Sequence, residues 1–595
     1  MLVACNNTNG PENTGADEPG QPVYGGTLRI VGASDVDHLA TTSAYVTTSV
    51  WLVRAFARQL VAYTPSADYA VAIALAADVA HELPTAENGG VSADGRTYTF
   101  HLRPGVLWNS NPPRSVVAGD FERAFKLLCN PVSPVGAPGY YTATIRGMAE
   151  YCSAFVKVPG TVADIRQFIT SHDLTGVHAP DDATLIIELL QPSADFLNLL
   201  AMTFASAVPV EYLDYLPDSP DFRQNTLSNG PYAITRYIQN RLIELDRNPN
   251  WSRDSDPINP AYIDRIEIKL GIDAELIQLQ IEAGTADLSF EGNMLTANLA
   301  SLRAIGDQRI TLFPAGDHYG AMHYLAINSV GPNNGGALTD PKVRQALALA
   351  VDKRALVQLT GGPGVSRALY QAVQSTISGF RPGVDHYVTP NDQGDPVAAR
   401  KLLAEAGLSN GLSLRLAYSR SGTFPIEAQA LQASLYRAGI DAQLFPYSSS
   451  DFWGRLLPNS QNALRGEWDI ALAGWVPDWY GPNNGRSVIS PLFDGRQLGH
   501  MSVNYGLYDN ALTNAAIDRA LASATIEESE ENWAQAVHQV TEDVAIVPLI
   551  ERKKAGMQSS RMRNCIWATI GDSCDLASLW IAGAHAHAPV TGVSQ

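Results

Sequence analysis

Residues 474–482 read Gly474-Trp475-Val476-Pro477-Asp478-Trp479-Tyr480-Gly481-Pro482, which puts one carboxylate among two tryptophans and a tyrosine. A carboxylate in such surroundings is costly to bury unless a cation pairs with it. Arg486 is within loop reach, but no lysine or arginine inside the segment is an obvious partner. The pattern points to a cation that arrives with a ligand, and an α-ammonium group has the right chemistry. The plain alternative is a turn. Aspartate, glycine and proline are ordinary turn residues, and an adjacent tryptophan packs without any ligand.

The loop needs elements to hold it. Residues 468–473 before it read as a buried strand. Asp340-Pro341 and Asp395-Pro396 each pair an N-cap acceptor with a proline suited to the first helical position. After the first, Val343, Ala346, Leu347 and Ala350 recur at the spacing of one buried helical face. After the second, the pattern stops at Gly407, a C-terminal cap. A third helix over 425–438 leads through Gly439 into a strand over 440–445. Strands are also expected over 97–103, 184–190 and 263–270, with a hairpin over 233–246. Helices alternating with strands over 340–480 indicate α/β lobes.

At 595 residues the chain is too long for one core and predicts two or three domains. Its net charge of −19 offers no basic patch for phosphates, so nucleic acid is excluded as a partner. No apolar run reaches the length a membrane-spanning helix needs. Met1-Leu2-Val3-Ala4-Cys5 resembles a lipobox, with Cys5 the lipidation site and the signal peptide before it trimmed from the sequence or its start misassigned. Residues 6–22, rich in Asn, Gly, Pro and Thr, read as a disordered tether. The other four of the five cysteines fall into two local pairs, Cys129 with Cys152 and Cys565 with Cys574. As disulfides each is worth roughly 2–3 kcal/mol and implies an oxidising compartment; four buried free thiols are the alternative. No Cys-x-x-Cys pair suggests zinc, no clustered histidines suggest nickel, and His585 and His587 lie in the tail; no metal or cofactor is expected.

Several segments together resemble the bacterial extracellular solute-binding proteins of the oligopeptide/dipeptide-binding family (family 5, cluster C), the receptors of ABC importers. They are Gly25-Gly26-Thr27-Leu28, the run 95–106, Asn229-Gly230-Pro231-Tyr232 with 247–251 after it, 340–353, 395–407 and the loop 474–482, which fits Gly-Trp-x-x-Asp-x-x-x-Pro. They span almost all of residues 25–583. Departures occur at 107–113 and 482–486, which bear on the ligand and not on the fold.

The resemblance implies an α/β, two-lobed periplasmic-binding-protein-like (type II) fold with an extra inserted domain and a hinge between lobes. Lobe I is expected at 25–58, 207–325 and 541–583, its inserted domain at 59–206, and lobe II at 326–540. Residues 1–24 are tether and 584–595 a disordered tail. The resemblance makes Asp478 the partner of a peptide α-ammonium. Trp475 and Trp479 would wall the pocket, Tyr480 would add a hydroxyl, and Tyr140 and Tyr45 would touch ligand. The expected protein is a monomeric substrate-binding lipoprotein that captures oligopeptides or dipeptides and hands them to ABC permease and ATPase subunits. With 33 Arg against 8 Lys in the count, the expectation leans to a GC-rich, Gram-positive cell surface, or to the periplasm of a Gram-negative cell. The alternative is the same fold binding cello- or manno-type oligosaccharides, with Asp478 accepting hydroxyls and tryptophans stacking on sugar, or binding another small solute. A remote alternative is an extracellular hydrolase. Its only support is Gly407-Leu408-Ser409-Asn410-Gly411, where a helix ends before a strand, the reverse of a nucleophile elbow. No enzymatic activity is expected.

Overall fold

Two sheets organise the chain in a computed structural model that describes residues 21–291, 296–498, 502–523 and 525–584. Cys5, most of the tether, His585, His587 and the rest of the tail lie outside the described residues. The first sheet has five strands, in the order Leu288–Ser289, Thr27–Val31, Arg265–Lys269, Leu242–Arg247, Tyr232–Ile238. Thr27–Val31 runs parallel to both of its neighbours, with Leu28 opposite Ile266 and Ile30 opposite Ile268. The expected hairpin is its antiparallel arm. Alternation puts Leu28, Ile30, Ile243, Leu245, Ile266 and Ile268 into one core.

The same core takes in a smaller sheet of Thr97–His101, Thr184–Glu188 and Val177–Asp181, covered by the helix Ala118–Leu127. Just beyond that helix, Cys129 is joined to Cys152 on the helix Met148–Phe155, with Cα atoms 5.2 Å apart. Cys565 and Cys574 are joined as well, at a Cα distance of 4.8 Å.

The second sheet has six strands, in the order Ser366–Ala368, Ile546–Arg552, Ala321–Ile327, Ile470–Trp475, Leu412–Ser419, Ile440–Tyr447. Its strands are apolar on both faces. Leu325, Ile327, Ile470 and Leu472 point into one core, while Tyr324, Ala326, Ala471 and Ala473 point into another. Helices must therefore cover both sides. Pro341–Ala350, Pro396–Glu405 and Phe424–Arg437 cover one; Arg486–Phe493, Ala511–Ala522 and Ile526–Glu542 cover the other. The caps work as expected: Asp340 accepts from the Lys342 amide at 2.8 Å, and Asp395 from the amides of Val397 and Ala398. Among the described residues, no helix is long and apolar enough to cross a membrane.

The expected lobe boundaries need correcting at both crossings. Ala321–Ile327 and Ile546–Arg552 pair with each other at the centre of the second sheet. Residues 321–325 and 541–552 thus belong with lobe II, not lobe I. The chain returns to the first lobe beyond Arg552, where Lys554–Met557 pairs with Ile310–Phe313 and Met562, Trp567 and Ile570 join the first core. The reason is pairing: strand ladders satisfy backbone groups across the sheet, so a strand belongs with its hydrogen-bonded neighbours.

Candidate functional site

Asp478 sits where the two lobes meet. The central strand Ile470–Trp475 ends at Trp475, opposite Met322. The loop beyond it leaves the second sheet and enters the first lobe, where Trp479 and Tyr480 are part of the packed core. Gly481, at φ +100°, lets the chain turn back in a backbone conformation that a Cβ disfavours.

Two phenols from the first lobe meet the Asp478 carboxylate. Tyr140 Oη donates to Oδ2 at 2.5 Å and Tyr45 Oη to the same oxygen at 3.0 Å. Tyr140 is placed by the short helix Gly139–Thr142. Tyr45 precedes the helix Thr47–Phe56, and its amide donates to Asp37 at 3.1 Å. Its ring lies so close to Gly136 that a Cβ there would come within 2.3 Å. The Tyr45 ring also meets Phe204 edge-on at 5.3 Å and Trp475 at 6.3 Å.

No guanidinium or ammonium pairs with Asp478 among the described residues. Arg486, the one cation in loop reach, turns elsewhere. Its side chain is 2% exposed and donates to the carbonyl of Tyr140 at 2.9 Å and to Thr144 Oγ1 at 2.7 Å, with Asp195 Oδ1 at 3.5 Å. It thereby ties the helix Arg486–Phe493 of one lobe to the other lobe. Burial pushes the Asp478 carboxyl up to about 7, and the two phenol bonds only partly offset it. Asp478 as a residue keeps some exposed surface, while its carboxyl is enclosed by packed neighbours.

The aromatic residues of the loop divide in role. Trp475 donates from Nε1 to the Ser487 carbonyl at 3.0 Å and packs against the Tyr45 ring. Trp479 is fully buried, meets Tyr140 edge-on at 5.2 Å, and its Nε1 has no partner among the described residues. The Tyr480 hydroxyl, expected to serve a ligand, instead donates to the Gly320 carbonyl at 3.1 Å, and its ring packs on Trp567. Asp478, Trp475, Trp479, Tyr140 and Tyr45 are brought together; Tyr480 supports them from the core. The sequence reading did not assign Arg486 its inter-lobe role, nor did it single out His323, opposite Gly474, whose Nδ1 lies 2.9 Å from Glu427 Oε2 in a buried pair. The only local signal for Arg486 was its distance from Asp478 along the chain.

A family model described as bacterial extracellular solute-binding proteins, family 5, middle region, matches residues 82–491. The chain belongs to that family. Among curated relatives of this family 5 chain, Heme-binding protein A of Haemophilus influenzae is 27% identical over 80% of the chain and 81% of the relative. Di/tripeptide-binding protein 4 of Pseudomonas aeruginosa is 31% identical over 67% of the chain and 68% of the relative. Among solved structures, clavulanic acid biosynthesis oligopeptide binding protein 2 superposes with a TM-score of 0.78 at 26% identity, covering 94% of this chain and 96% of that one. The two-lobed binding-protein fold and an extracytoplasmic, solute-binding role follow for this family 5 chain.

Proposed function

We propose that this chain captures peptides by their free amino terminus between its two lobes and hands them to an ABC permease. One observation carries the reading: an enclosed carboxylate, held by two phenols of the opposite lobe, with no cation among the described residues within ion-pair distance. An α-ammonium entering beside Asp478 supplies the missing charge. The pair then favours the ionised carboxylate, and breaking it leaves a buried charge unpaired. Tyr45, Tyr140 and Asp478 come from both lobes, so a ligand touching all three gains contacts only when the lobes meet. That differential is what drives closure. Relatives named for di- and tripeptides and for oligopeptides support the ligand class.

The protein acts as a receptor and not as a catalyst. Cys5 anchors it by lipid to the outer face of the membrane, as a monomer. The deciding experiment is calorimetry with a free-amine peptide, its N-acetylated form, and cello- and manno-oligosaccharides. Binding of the free amine alone is expected. Equal affinity for the acetylated peptide removes Asp478 as amine anchor, and binding of the sugars alone replaces the ligand class.

A further inference from the structure

The helix Ile526–Glu542 carries His538 and Glu542 one turn apart, so both side chains leave the same face. A distant segment adds a third group. His386 lies against the end of that helix, its Nδ1 2.8 Å from Glu542 Oε1 and its ring 5.4 Å from that of His538. The next residue, Tyr387, takes the left-handed conformation at φ +54°, and its hydroxyl donates to the Glu542 carbonyl at 3.3 Å. That bond holds the segment on the helix and presents His386 to the other two. One ligand atom from each of the three lies within 4.8 Å of the others.

We propose that His386, His538 and Glu542 bind one zinc-class divalent cation. Two imidazole nitrogens are borderline donors beside one hard carboxylate oxygen; a set led by nitrogen suits zinc and its neighbours and not magnesium or calcium, which take oxygen sets. A tetrahedral zinc with bonds of about 2.0–2.2 Å accepts three protein ligands and leaves one position to solvent. His538 and Glu542 are exposed and can close on an ion by rotamer changes alone, while the His386 side chain is only 15% exposed and provides the fixed point. A simple surface ion pair of His386 with Glu542 would account for two of the groups, but not for a second imidazole brought to the same spot. The side-chain and ring contacts of the three run to one another and to Tyr387, not to Asp478 or its phenols. The site is therefore separate from the solute cleft and stands or falls independently of the peptide reading.

The test is zinc titration by calorimetry, paired with thermal unfolding in zinc or magnesium chloride. It is run on the full chain with His585→Ala and His587→Ala, because those tail histidines are competing ligands. One equivalent of zinc is expected, with a rise in unfolding temperature by mass action and none with magnesium. His538→Ala, and separately His386→Gln, should weaken zinc binding tenfold or more with an unchanged circular dichroism spectrum. No zinc heat in the tail variant, or equal affinity after either further substitution, overturns the proposal.

Discussion

Asp287 and Asp478 are both aspartates with enclosed carboxyl groups, and they are shifted in opposite directions. Asp287 lies in the first lobe with its side chain 0% exposed. It accepts from Arg561 Nη2 at 2.5 Å, Arg29 Nε at 3.3 Å, Ser559 Oγ at 2.7 Å and the Arg29 amide at 2.8 Å. These donors more than offset burial and hold its carboxyl below the usual carboxylate range. Asp478 has two phenols and, among the described residues, no cation, and burial pushes it up to about 7. The difference separates two uses of one side chain. A carboxylate supplied with guanidinium groups by its own chain ties strands together. One left without a cation where two lobes meet is disposed to receive one from outside.

The strongest way to break this comparison is to remove each carboxylate in turn. Asp287→Ala leaves Arg29 and Arg561, each about a third exposed, without their shared acceptor and should cost about 1–3 kcal/mol of stability, seen as an earlier denaturant midpoint; ligand affinity of the folded fraction should hold. Asp478→Ala should do the reverse. Peptide affinity falls by about 2–5 kcal/mol in calorimetry, while the unfolding midpoint holds or rises. A collapse of stability in Asp478→Ala with affinity intact would make the loop a plain turn.

Acidity sharpens the contrast, because the two signs differ. Asp287 is depressed in the fold, so its contribution is present above about pH 4 and is lost as pH falls through its folded value. Asp478 is raised, so the contribution of its protonated form is full below about pH 4. It is lost as pH rises toward the folded value of about 7. Solvation of the carboxyl on opening restores its ordinary value. Ligand-free protein should therefore open as pH rises from about 4 to about 7, read as a growing radius of gyration in solution scattering; Asp478→Asn should flatten that trend.

The smallest effect is expected from Tyr140→Phe. It removes one hydroxyl donor and leaves the ring against Trp479 and beneath Arg486. A hydrogen bond to a charged group is worth about 1.5–3 kcal/mol, so ligand affinity should fall less than in Asp478→Ala. An effect equal to that of Asp478→Ala would mean that the phenol, and not the carboxylate, holds the ligand.

Much of this was legible along the chain. The Asp340 and Asp395 caps, the helix over 425–438, the hairpin and the strand leading to Trp475 depend on side chains a few residues apart, and each forms where its pattern lies. The loop 474–482 could be singled out for the same reason: an aspartate among aromatics is a local anomaly. The crossings between lobes were misplaced, because Ile546–Arg552 shows its sheet only through pairing with Ala321–Ile327. Arg486 shows the limit most clearly. By sequence distance it could have neutralised Asp478; packed, it reaches across to Tyr140, Thr144 and Asp195. His386 and His538 are far apart in the chain and meet only through the packing of a loop on a helix end.

Alternation, caps and turn chemistry alone determined that the chain builds α/β units and carries an aspartate in an aromatic loop after a buried strand, since such preferences act over a few bonds. Which charges are neutralised, which hydroxyls are already engaged and which imidazoles converge was decided only by tertiary structure. Electrostatic and hydrogen-bond partners are chosen by distance in space, and folding sets that distance with little regard to separation along the backbone.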